Sequence, residues 1–576
     1  MGAALHRMKT TEGRALRLLV LGVVAAGLAL PIMAGLWETG RAAFGILPAI
    51  GAEQPALVSW RQFMDLPGVR TSIALTLWTG IASTALSLAL ALGIAGAIHG
   101  CMRAGRVAQV LTPFLAAPHA AMAIGTAFLI APSGWIARIL SPWATGWTLP
   151  PDLATVQDRL GVALILGLML KEVPFLLLVT LSALTQLPVR DQIAAGRAMG
   201  YAPGAVWARV IAPQVYPMIR LPVFVTLSFA LSVVDMALIL GPTTPPTLAV
   251  AMTRWFLSAD SGLILPASAA AMALAALAAG SVALWIGAER VVARVGSARL
   301  RRGHRGLCAS PAIRLAGLGG IVLLALGAGA LLSLALWSVA WRWSFPRALP
   351  DSWSLAAWTR PGTGWQTALE QTLILAVSTT ALSLALAIAW LEGEDRAGMR
   401  RARWAEALIY LPLLVPQAAF LFGLSVVFLR AGLSGGMIAV IWGQMLFVFP
   451  YVMLSLSDPW RALDRRMDRA AAALGAGPWR RLVAVKLPIL LRPVLTAAAI
   501  GFAVSVAQYL PTLFLGAGRV STLTTEAVTL ASGSDRRVTA VHATLQSALP
   551  LTAYLTAIGL PAILHRRRRG LSGFFA

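Results

Sequence analysis

The chain has 576 residues, 58% of them hydrophobic and only 12% charged, with a formal net charge of +25. That is about half the charge of a soluble globular chain. The basic residues flank long apolar runs, which turns the positive charge toward a membrane and removes nucleic acid as its partner.

In chain order, the first apolar run covers 16–36 behind Arg7, Lys9, Arg14 and Arg17. It exceeds the h-region of a secretory signal and is read as a retained helix. Further windows long enough to cross the hydrocarbon layer fall at 71–98, 109–131, 161–184, 221–241, 265–288, 315–339, 368–391, 406–429, 437–458, 493–516 and 542–565. The expectation is an all-α membrane protein of about twelve transmembrane helices, with the lipid bilayer as solvent. The domains are 1–288, a basic linker 289–314 carrying Arg299, Arg301, Arg302 and Arg305, and 315–576. Of 47 Lys and Arg, 33 fall on the side of the N-terminus, 13 on the other and Lys171 inside a span, which places both termini in the cytoplasm. Cys101 and Cys308 then lie on the cytoplasmic side as free thiols.

Charged and polar groups inside spans are costly and are candidates for the pathway. Lys171 and Glu172 sit mid-span, where adjacent residues diverge around the helix and pair with other helices. Asp235 and Gln508 occupy matching places near the outer ends of the fifth and eleventh windows, where pathway lining and interfacial capping both fit. His119 reads as pore-side or packed. The histidines lack ligand spacing, so no metal site is expected.

The chain also repeats itself. Ala195-Gly196-Arg197-Ala198-Met199-Gly200 with Pro203 and Pro213 recurs as Ala470-Ala471-Ala472-Ala473-Leu474-Gly475 with Pro478 and Pro488, at an offset of 275. Pro118-His119 matches Pro416-Gln417 at 298, and Thr84–Ala91 matches Thr380–Ala387 at 296. The drop from 298 to 275 assigns 23 extra residues to the first half, within 132–160. Six spans per half make the repeat parallel, so both repeated loops (about 185–220 and 459–492) face the same side. Each loop reads as two short helices. Ala194, Ala195, Ala198, Ala470 and Ala471 permit close approach, Gly200 and Gly475 suit a left-handed helix end, and Pro203 and Pro478 suit a first turn. Trp207 with Val210, and Leu482 with Val485, read as apolar docking anchors.

These loops resemble the EAA loop of ABC importer permeases: Glu-Ala-Ala, three residues, Gly, then Pro thirteen residues on. The resemblance covers nearly the whole chain and is nearest to fused two-domain permeases of the iron(III) and thiamine type. It implies that each loop is a coupling helix docked on one of two cytoplasmic ABC ATPase subunits, which bind ATP and Mg. It also implies a separate extracytoplasmic substrate-binding protein, and thiamine or a related small molecule, or ferric iron, as cargo. The family glutamate is Ala194 in the first loop and Arg469 in the second, with Asp191 and Asp468 nearby.

None of the three lysines, Lys9, Lys171 and Lys486, ends a phosphate-cradling loop, so ATP hydrolysis is assigned to another chain; no enzyme and no cofactor are expected here. A secondary transporter or channel would share the topology, and the duplicated loops are what argue against it. Segments 241–258 and 518–537 read as rigid outer loops, with Arg254, Glu526, Asp535 and Arg537 as contacts for the binding protein.

Overall fold

The computed structural model describes residues 15–99, 104–301, 309–360, 362–398, 403–533 and 535–564. Cys101, Arg302, Arg305 and Cys308 lie outside them. Among the described residues, ten helices are long and apolar enough to cross a membrane, and two bent pairs bring the total to twelve. They are Ala15–Ala43, Val69–Ile98, His119–Leu140, Val162–Leu184, Pro203–Ser232, Ser261–Ala298, Ser310–Val339, Trp365–Ala397, Trp404–Leu414 with Gln417–Arg430, Met437–Arg461, Pro478–Ile489 with Leu491–Ala507, and Arg536–Leu564. We number these spans 1 to 12.

The sixth and seventh spans depart from expectation. Helix continues through the first part of the linker to Arg301 and resumes at Ala309. The extra residues of the first half fall where expected. Helix His119–Ile130 is joined to Val162 by a long segment holding the short helix Trp135–Leu140, whereas Arg430 and Met437 are joined by a short turn.

The two halves exchange their first helices. Span 1 lies against Gln417–Arg430 of the second half, and span 7 against His119–Ile130 of the first. Small residues make both crossings possible. A Cβ on Gly423 would stand 2.0 Å from the Gly35 carbonyl, and one on Gly125 would stand 2.5 Å from the Ala330 carbonyl. Each crossing carries a hydroxyl bond: the Gly423 N–H donates to Thr39 Oγ1 at 3.1 Å, and Ser333 Oγ donates to the Gly125 carbonyl at 3.0 Å. The core is therefore shared between the halves.

Four helices expected to be continuous are broken. The third expected window, 109–131, separates at Ala117-Pro118, between helices Ala104–Ala116 and His119–Ile130. The ninth separates at Val415-Pro416 with a bend of 97°. In both, proline bars the preceding residue from the helical region. The fifth breaks at Val233-Val234 before a short helix Asp235–Leu240, and the eleventh at Gln508-Tyr509 before Leu510–Gly516. In these two, an extended residue (Val233, ψ 133°; Gln508, ψ 117°) precedes a helical one. All four breaks occur at positions equivalent by the repeat.

The segments read as rigid outer loops are helical in part. Helices Leu248–Phe256 and Leu523–Ala531 follow the breaks, with most of their apolar side chains buried. Both are pinned alike: Thr76 Oγ1 accepts the Leu248 N–H at 2.8 Å, and Thr372 Oγ1 accepts the Leu523 N–H at 2.9 Å.

Candidate functional site

The four breaks surround a central cavity of about 460 Å³. Equivalent positions line it from both sides: Val225 and Ile500, Ser228 and Ala503, Phe229 and Val504, Ser232 and Ala507, Val233 and Gln508, Val234 and Tyr509. His119 and Gln417, each opening the helix after its proline, form another pair. Lys171, Glu172 and Asp235 also line the space, so all four residues proposed for the pathway meet in one place.

A broken helix in a membrane leaves carbonyls that no water can satisfy. Lys171 answers this in the first half: its ammonium donates to the carbonyls of Phe114 at 2.6 Å, Leu115 at 3.3 Å and Ala117 at 2.5 Å. Its position at the C-terminal end of Ala104–Ala116 also suits the helix dipole. Lys171 is thus a fixed structural cation with its three protons already engaged. In the second half the equivalent residue is Leu446, and Ser228 Oγ reaches across from the first half to the Leu414 carbonyl at 2.9 Å.

Glu172 points away from its neighbour. Ser87 Oγ donates to its Oε2 at 2.8 Å, while Oε1 is buried with no hydrogen-bond donor among the described residues. Asp235 is buried at the first turn of its short helix, where backbone N–H groups favour a carboxylate. The rings of Phe175, Phe229, Phe447, Tyr451, Tyr509 and Tyr554 complete the wall, with the His119 ring 4.5 Å from that of Phe229. Sequence reasoning did not find the tyrosines, because single aromatics in apolar spans carry no periodic signal.

The repeated loops form one geometry twice. Helix Val189–Ala198 ends at Met199, Gly200 has φ +81°, and Pro203 opens a short helix that becomes a π-turn over Trp207–Ile211. Helix Arg465–Ala473 ends at Leu474, Gly475 has φ +81°, and Pro478 opens a helix that becomes a π-turn over Leu482–Lys486. The turns close with the same bonds. The Gly200 N–H donates to Arg197 at 2.9 Å and the Tyr201 N–H to Gly196 at 3.0 Å; the Gly475 N–H donates to Ala472 and the Ala476 N–H to Ala471, both at 3.0 Å. This is a Schellman turn, which needs a left-handed residue. Pro213 and Pro488 stand in the first turn of the helices that follow.

The proposed anchors are corrected. Trp207 and Leu482 are buried against the transmembrane body; Trp207 Nε1 donates to the Leu92 carbonyl at 3.2 Å, and its ring faces His99. Burial and the nearby Arg190 charge hold His99 below the usual histidine pKa. The apolar side chains that do face out are Met199, Val210, Leu474, Trp479 and Val483. Asp191, Ala194, Ala195, Ala198 and Ala470 are exposed, whereas Ala471 is half-buried. Asp468 does not stand in for the missing glutamate outwardly but pairs with Arg481 at 3.0 Å.

Behind the second loop lies a dense ionic cluster that the sequence reading missed. Lys486 Nζ meets Glu392 at 2.7 Å and Asp395 at 2.8 Å. Arg461 bridges Glu394 and Glu406, each at 3.0 Å, Arg396 binds Glu392 at 2.8 Å, and Arg17 of span 1 reaches Glu394 at 3.5 Å. The signal in the sequence was the run Glu392-Gly393-Glu394-Asp395 closing an apolar span.

The proposed outer contacts separate. Arg254 is exposed and donates to the Thr243 carbonyl at 3.1 Å. Glu526 is half-buried on Leu523–Ala531, and Asp535 and Arg537 pair with each other at 3.0 Å at the start of span 12.

Two parallel six-span halves, a central cavity at four helix breaks and paired loops on one face define a membrane permease. A family model described as binding-protein-dependent transport system inner membrane component matches residues 396–566. The chain is 31% identical over 508 residues to the inner membrane ABC transporter permease protein YnjC of Escherichia coli, covering 87% of this chain and 90% of that protein. The molybdenum transport system permease protein ModB of Mycobacterium tuberculosis is 30% identical over 182 residues, 30% of this chain and 67% of its own length. ModB of Azotobacter vinelandii is 29% identical over 164 residues, 26% of this chain and 72% of its own length. The chain belongs to the permease family of ABC importers, with two halves fused, and is a multi-pass inner membrane protein. Membership implies an ATPase and a binding protein as partners in general.

Proposed function

We propose that the chain forms the substrate pathway of an ATP-driven importer and carries no catalytic site or cofactor of its own. Each loop, 189–211 and 465–486, docks on one of two copies of a cytoplasmic ABC ATPase that binds ATP and Mg. Both termini lie on that side. A binding protein delivers substrate to the opposite face, where Arg254, Glu526, Asp535 and Arg537 are its contacts. The observation that carries this reading is the pair of Schellman turns and π-turns repeated at an offset of 275, because a docking element must present the same shape to two identical partners.

The cargo we favour is a small organic cation of the thiamine type. Two lining carboxylates, Glu172 and Asp235, stand among aromatic rings suited to a cation, while the lining ammonium, Lys171, is engaged by carbonyls. Ferric iron is second, since no three His, Cys, Asp or Glu side chains among the described residues are placed to hold a metal ion.

The test is ATP hydrolysis and uptake by the chain reconstituted with its ATPase and binding protein. Gly200→Val with Gly475→Val should abolish substrate-stimulated hydrolysis while the permease still inserts. Normal coupling in that variant would refute the docking assignment. Asp235→Asn should weaken uptake of radiolabelled thiamine without changing basal hydrolysis; unchanged thiamine uptake would refute the cargo assignment.

A further inference from the structure

On the face opposite the coupling loops, span 3, span 7 and span 12 meet around an open basin of about 670 Å³. Its walls are the strand Ala340–Arg342 that follows span 7, the residues after it, and the first residues of span 12. The Arg536 guanidinium lines it, and that of Arg138 is buried behind the lining rings of Trp337 and Trp343. Arg138 is buried, donating to the carbonyls of Ser133 at 3.0 Å and Ser344 at 2.9 Å, and lies over the rings of Trp337, Trp343 and Phe345. Arg536 donates to Ser133 Oγ at 2.8 Å and lies over Phe128 and Trp337. Among the described residues neither makes an ion pair with a carboxylate.

A desolvated cation normally has an anion beside it. Here the surroundings add more positive charge. Arg342 lines the basin and Arg360 and Arg537 flank Trp341; among the described residues Asp351, whose charge also reaches Arg138, pairs with Arg347, and the lining Asp535 pairs with Arg537.

The basin's place decides what anion it meets. Spans 7 and 12 are the least buried pair packed together, with 22% and 17% of their apolar windows inside the protein, so their outer surfaces face lipid. Trp341 and Trp353 are 38% and 54% exposed on the two-stranded ribbon that follows span 7, the depth at which tryptophan marks the headgroup layer. We propose that this basin binds the phosphate of an anionic phospholipid in the leaflet away from the coupling loops. Arg342 and Arg536 are the contacts, and Trp341 and Trp343 form the wall against the glycerol backbone.

The experiment uses the full chain purified in detergent and mixed with phosphatidylglycerol or phosphatidylcholine, with bound lipid counted by mass spectrometry and stability followed by thermal unfolding. Phosphatidylglycerol should be retained and should raise the unfolding midpoint. Arg342→Ala, on an exposed strand and harmless to folding, should weaken retention about fivefold, and Arg342→Ala with Arg536→Ala should weaken it further. Arg536→Lys should restore part of the loss. Equal retention of the two lipids, equal retention by wild type and Arg342→Ala, or full displacement of lipid by inorganic phosphate would each overturn the proposal.

Discussion

The two repeated loops share a backbone and differ in what holds them. In the first half, Trp207 packs where a Cβ on Gly96 would stand 2.8 Å from its Nε1, Ile211 is fully buried, and Val206 fills the space at Gly196. In the second half the equivalent positions are Leu482, Lys486, Arg481 and Ala471, and Glu392 and Asp395 stand where the first half has Gly96 and His99. Shape holds the first loop and charge holds the second. What the repeat kept is the turn, the helix start and the π-turn, the features that set the exposed surface. The inner contacts were free to diverge, because either arrangement fixes the loop to the spans.

The comparison breaks or sharpens under mutation. The largest effect should come from Lys486→Met, which leaves buried Glu392 with Arg396 alone and takes the ammonium from half-buried Asp395, and should cost about 3–5 kcal/mol. Adding Glu392→Gln and Asp395→Asn should recover most of the thermal unfolding midpoint in detergent. Trp207→Ala should cost about 3 kcal/mol through the cavity it leaves. Because no carboxylate faces it, neutralising acids should not rescue it, and rescue would show that the halves are held alike.

Where the halves are the same, their responses should match. Gly200→Ala and Gly475→Ala each place a side chain at φ +81°, a strain of about 1–2 kcal/mol. Their unfolding midpoints should fall together, and a clear difference would deny the shared turn. A smaller contrast separates Asp468→Ala from Val206→Ala. The Asp468–Arg481 pair is partly exposed and should be worth under about 1 kcal/mol, with the loss shrinking in high salt. Val206→Ala should be indifferent to salt.

The smallest effect concerns pH. His99 is held neutral beside Trp207, so its contribution is complete above the ordinary histidine pKa of about 6.5 and is lost as pH falls. Acid should therefore loosen the first loop, and His99→Phe should remove that part of the pH dependence in thermal unfolding.

The sequence by itself determined the membrane class, the number of spans, the parallel repeat and the positive φ at Gly200 and Gly475. Apolar length, basic flanks and a glycine at a helix end are local properties, legible one segment at a time. Proline made two of the four helix breaks legible in principle at Pro118 and Pro416, yet window averaging read both spans as continuous. Tertiary structure alone decided the breaks at Val233 and Gln508, the exchange of first helices, and the inward turn of Trp207 and Leu482. It also decided that Lys171 serves three carbonyls rather than its neighbour Glu172. Each of these depends on a group dozens of residues away, and hydropathy averaged along the chain carries no information about which distant backbone a side chain will meet.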